Sequence, residues 1–163
     1  MINLNKNWKS LRSLTLVLII FVAFSFLSDT EANGVEYLSD ELSCVKLSGR
    51  FMRSIVEGDV DKAFSLVDPY FPISQSEFDN LVHQTRIQLQ GSQPNFGSML
   101  NYKFVREERV EDFLIRFTFV IKHELTVTVW KFLYYRPEDR WLLNSLNWND
   151  QVKDLFSSGL EGN

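Results

Sequence analysis

The chain has 163 residues, with 17 basic and 21 acidic side chains, a formal net charge of −4 and a single cysteine, Cys44. That length suits one ordinary domain, and a lone cysteine excludes an intrachain disulfide, so stability has to come from core packing. An acidic balance without a Lys/Arg cluster argues against nucleic acid and anionic membrane surfaces as partners.

At the N-terminus Lys6, Lys9 and Arg12 precede the apolar run from Leu14 to Leu27, the pattern of a secretory signal peptide. Cleavage after Ala32 divides the chain into a signal peptide, residues 1–32, and a single domain, residues 33–163, of about 131 residues with a charge of about −5. The expectation is an exported protein, in a bacterial periplasm, without stable membrane insertion after cleavage. The alternative is an uncleaved anchor, for which the uncharged span from Ser13 to Ser28 is short.

Helical periodicity fills the first half of the domain. Ser39 is the expected cap of a first helix with the apolar stripe Leu42, Val45, Gly49, Met52, Ile55 and Val56. Gly58 closes it in a left-handed conformation, and Asp59 caps a short second helix whose stripe is Val60, Ala63, Phe64 and Val67. Pro69 and Pro72 end that helix and hold Tyr70 and Phe71 between them. A third helix opens on a capping box, Ser74 with Glu77, and a hydrophobic staple, Ile73 with Phe78. Its stripe is Phe78, Leu81, Val82, Thr85 and Leu89, and Gly91 is the expected stop.

From Leu100 the period changes to two. Turns at Glu111-Asp112, His123-Glu124 and Pro137-Glu138-Asp139 separate four strands, which make an antiparallel sheet with the helices on one face, an α+β architecture. Two-residue turns place Tyr102, Phe104, Arg106, Glu108 and Val110 on the same face as Phe113, Ile115, Phe117, Phe119 and Ile121, continued by Thr126, Thr128, Trp130, Phe132 and Tyr134. This aromatic face is expected to cover the helices. The other face, with Val105, Leu114, Val120, Val127, Val129 and Leu133, is apolar enough to suggest homodimerisation through the sheet. For the last strand two turn lengths stay open: one points Trp141, Leu143, Ser145 and Asn147 inward, the other Leu142, Asn144, Leu146 and Trp148. Asn144, Asn147 and Trp148 are candidate rim residues.

The helix break Val56–Phe64 and the acidic turn before Trp141-Leu142-Leu143-Asn144, in an order of three helices and then a meander, resemble the nuclear transport factor two-like superfamily. The resemblance implies a cone, N-terminal helices packed on a curved antiparallel sheet, with a pocket inside and frequent dimers. It does not imply one activity. The pocket residues expected to contact a ligand are Tyr70, Phe71, Tyr102, Arg106, Glu108, Trp130 and Tyr134, with a small apolar molecule or a protein partner as the occupant. No GxSxG elbow, phosphate-binding glycine loop or metal-ligand cluster occurs, so no catalytic residue, metal or cofactor is assigned. His83 and His123 read as isolated surface or satisfied histidines. A non-enzymatic binding domain is the first reading, and a small isomerase or lyase using Glu108 with a tyrosine is the second.

Overall fold

The computed structural model describes residues 34–156. The signal-peptide reading falls on residues 1–32 and lies outside the described residues. Helix α1 spans Glu41–Val56, α2 Val60–Val67 and α3 Gln75–Phe96, with a 3-10 turn at Asp68–Tyr70. Four strands follow, β1 Met99–Val110, β2 Leu114–His123, β3 Val127–Tyr135 and β4 Leu142–Asn149, and then a 3-10 turn at Val152–Leu155. The strands pair in the order β1-β2-β3-β4, all antiparallel, into a curved, unclosed sheet packed against the three helices. The protein is therefore α+β, and this arrangement is compatible with a cone.

Local chemistry explains most element ends. Asp40, not Ser39, caps α1: its side chain accepts the Ser43 N–H at 2.7 Å, and Ser39 Oγ donates to the second carboxylate oxygen at 2.9 Å. Asp59 caps α2 by accepting from the Lys62 N–H, and Ser74 with Glu77 forms both halves of the capping box on α3. Helix α3 runs on through Gly91 to Phe96, five residues past the expected stop. Its face continues at helical spacing through Leu89, Ser92 and Phe96, and a solvent-exposed glycine costs a helix only about 1 kcal/mol, which tertiary contacts override. The Pro94 ring sits in the last turn, and Gly97 at φ 76° ends the helix.

Gly58 turns the chain between α1 and α2 at φ 82°, and a Cβ there would meet nothing within 4 Å. The whole cost of Gly58→Ala is therefore backbone strain, about 1–2 kcal/mol. Thermal unfolding should show a modest fall for Gly58→Ala and a smaller one for Gly58→Asn, because asparagine tolerates the left-handed region. Equal losses in both would mean that something other than backbone conformation sets the cost.

The buried stripe of α1 is Cys44, Leu47, Ser48, Phe51, Met52 and Ile55, rotated from the expected one, and Leu42 is 59% exposed. Polar Ser48 fits inside because its hydroxyl donates to the Cys44 carbonyl at 3.0 Å and lies 2.9 Å from Tyr134 Oη, 86 residues away. Burial pushes the Cys44 thiol up to about 12, so it is an inert core group. Phe51 is the hub of the core, with ring centroids 5.1 Å from Phe64, 5.4 Å from Phe132 and 6.0 Å from Trp130.

Two bulges decide the sheet faces. The β1–β2 turn holds three residues, Glu111 to Phe113, with Glu111 at φ 50° and Val110 paired to Leu114. That one-residue change places Arg106 opposite Thr118 and Glu108 opposite Arg116, on the outer face. The expectation that Arg106 and Glu108 point inward is thus corrected. A bulge at Val105 then restores the expected pairs Phe104 with Phe119 and Tyr102 with Ile121. The β2–β3 turn falls at Glu124-Leu125, with Ile121 opposite Thr128, a slip of two residues that leaves every face unchanged. In β4 both open alternatives hold in turn: Leu143 faces inward beside Tyr134, and after a bulge at Asn144 Leu146 and Trp148 face inward beside Phe132 and Trp130.

The outer face carries its own cover. Thr118 and Val129 are fully buried there, the C-terminal 3-10 turn packs against β3, and Arg106 Nη1 donates to the Leu155 carbonyl at 3.2 Å. This turn supplies part of the shielding that the sequence assigns to a second copy.

Candidate functional site

A cleft of about 630 Å³ opens between the α1–α2 junction, the second half of α3 and the start of β1. Ile55, Val56 and Val60 line it from the helix break, Leu89 and Phe96 from α3, and Met99 from β1. These apolar walls follow from local structure. The Gly58 turn redirects the chain from α1 into α2, and the extension of α3 past Gly91 carries Phe96 to the head of β1.

The rim is charged. Glu57, Asp59 and Asp61 stand at the junction, with Arg86 of α3 facing them. Arg86 pairs with Asp61, joining α2 to α3 across the rim, and Lys62 Nζ lies 3.3 Å from Glu57. Such exposed pairs contribute little stability, and they balance the charge of Glu57 and Asp61.

His123, the last residue of β2, closes one wall. Only 7% of it is exposed; Nε2 lies 3.1 Å from Thr128 Oγ1, and the Phe96 ring stands edge-on with centroids 5.5 Å apart. Burial lowers its pKa below the usual 6.5, against the weaker opposing effect of a hydrogen bond to the Gly97 backbone. The native state therefore holds imidazole neutral more firmly than the unfolded chain does. The resulting stabilisation is complete above about pH 6.5 and is lost as pH falls through the depressed value. Thermal melts of the protein and of His123→Gln should differ more near neutral pH than near about pH 5, where protonation of the native histidine is paid in stability. A pH-independent difference would contradict the depressed titration.

The sequence-selected residues lie elsewhere. Trp130, Tyr134 and Phe71 are core residues, Tyr70 is half-buried against the core, and Tyr102 is half-buried against Phe119. Arg106 and Glu108 meet on the outer face at 3.3 Å, where Arg116 grips Glu108 through two 2.9 Å bonds and holds its carboxyl below the ordinary range. None of the seven lines the 630 Å³ cleft. Trp130 does reach a smaller recess of about 180 Å³ with Asn147 and Trp148, whose indole stacks on Trp130 at 5.3 Å and 10°.

His123 is the site residue that turn assignment hid. Counting the alternation of Ile115, Phe117, Phe119 and Ile121 one step further places it inward, and the signal was present in the sequence. Among the described residues no group of three or more His, Cys, Asp or Glu side chains is placed to hold a metal, and no helix is long and apolar enough to cross a membrane. Comparison with known proteins returned no matching family model, no matching curated protein and no matching solved structure.

Proposed function

We propose that the domain is an exported binding protein that takes a small, largely apolar molecule in the cleft between the α1–α2 break, α3 and β1. The observation that carries this reading is the cleft itself. Its volume of about 630 Å³ falls within the range of ligand sites, and its walls combine apolar side chains with a few polar groups. The resemblance to the nuclear transport factor two-like cone supports the same reading, because that architecture encloses a pocket between helices and sheet.

A catalytic role for Glu108 has less support. Its carboxylate is committed to Arg116 and held ionised, whereas a general base works best with a pKa near the working pH. It also lies outside the cleft.

Native mass spectrometry of the protein purified from its own host tests the proposal. The expected result is a retained small molecule, lost in Gln90→Trp, which fills the cleft from an exposed position of α3 at little cost in stability. A ligand that stays bound at full occupancy in Gln90→Trp would place the site elsewhere.

A further inference from the structure

The smaller recess, of about 180 Å³, lies between α3 and the end of β4 and shares no lining residue with the 630 Å³ cleft. Its apolar side is formed by Leu81, Leu146 and the indole of Trp148. That indole is held in place by its neighbour: it stacks on Trp130 with centroids 5.3 Å and planes 10° apart, and Trp130 is fully buried. Trp148 itself is half-buried, so part of its ring still meets solvent at the recess. Gln84 and Gln88, both exposed, border it from α3. They stand one helical turn apart on one face, with Cβ atoms about 5–6 Å from each other.

The chemistry of this lining selects a ligand class. The Trp130 indole N–H is already spent on Thr128 Oγ1 at 3.1 Å, but among the described residues the Trp148 indole N–H and the Gln84 and Gln88 amides make no hydrogen bond. No residue lining the recess is ionisable. A charged ligand would therefore shed water there without meeting a counter-charge, and a plain hydrocarbon would cover the indole N–H and the amides without bonding them. A pyranose ring meets both conditions. Its C–H face packs on an indole, and its hydroxyls donate and accept, as the two amides do. We propose that this recess binds one neutral sugar ring, seated on Trp148 and held by Gln84 and Gln88. Its volume, below the roughly 300–1,000 Å³ of sites for larger ligands, restricts contact to a single ring, with any further units of a glycan left in solvent.

Titration of the purified protein with the methyl β-glycosides of glucose, galactose, mannose and N-acetylglucosamine tests this, read from the side-chain ¹H–¹⁵N signals of Trp148, Gln84 and Gln88. Cyclohexylmethanol and uridine are the controls. At least one glycoside should shift all three signals along one saturating curve, with a Kd in the roughly millimolar range that a single ring sustains. Cyclohexylmethanol keeps the six-membered ring but only one hydroxyl, and should bind about five-fold more weakly for each hydrogen bond it loses. Gln84→Ala and Gln88→Ala, at exposed positions that cost little stability, should each weaken the glycoside about five-fold. Gln90→Trp should leave its affinity unchanged, because that residue lines the other cleft. The proposal is overturned by the absence of a saturable shift with every glycoside up to about 50 mM. It also fails if cyclohexylmethanol or uridine binds as tightly as the best glycoside, or if affinity survives intact in the variant lacking both glutamines.

Discussion

Phe51→Ala is expected to lower the free energy of unfolding by about 3–5 kcal/mol, read from the midpoint of a urea transition at constant slope. Phe51 has no exposed surface and touches Phe64 of α2, Phe132 and Trp130 of β3 with its ring, so one truncation loosens three elements at once. The cost joins lost transfer energy to the cavity left behind, which neighbouring rings, themselves packed edge-on, cannot collapse to fill. Since domains of this size are stable by only about 5–15 kcal/mol, the variant should unfold well below the parent in temperature. A loss under about 1 kcal/mol would show that Phe51 is not the hub of the core.

Gly97→Ala is the second large effect, about 2–4 kcal/mol, and it should damage the cleft as well as stability. Gly97 joins α3 to β1 at φ 76° and ψ −172°, a region that is essentially reserved for glycine. An added Cβ would lie 2.7 Å from Glu124 Cβ, an atom with no freedom to swing aside. Glu124 Oε2 also accepts the Ser98 N–H at 2.9 Å, so relief of the clash disturbs the start of β1. Phe96 and Ser98 flank the glycine and line the cleft. The variant should therefore lose stability in the urea transition and shift the ring signals of His123. Unchanged His123 signals in a destabilised Gly97→Ala would separate this turn from the cleft wall.

The contrast between the two glycines shows how much the sequence discloses. Gly58-Asp59 is readable because a terminator and a cap stand side by side between two apolar stripes. Gly97 sits in a stretch that reads as loop, and its role depends on Glu124, which is distant in sequence and arrives only through β2 pairing. His123 repeats the lesson. Its inward position follows from strand alternation, but its contact with Thr128, which also accepts from the Trp130 indole, depends on the next strand.

The sequence by itself determined the order of elements, the capping of α2 and α3, the break at Gly58 and the α+β architecture, because caps, prolines and apolar periodicity act over a few residues. It also determined which face of β2 and β3 forms the core, since a two-residue slip cannot change side-chain parity. Only the tertiary structure decided the faces of Arg106, Glu108, Leu146 and Trp148 and the place of the cleft. Single-residue bulges at Val105 and Asn144 carry no composition signal, and each forms where the surrounding core selects the parity that buries the apolar side chains and leaves the polar ones in water.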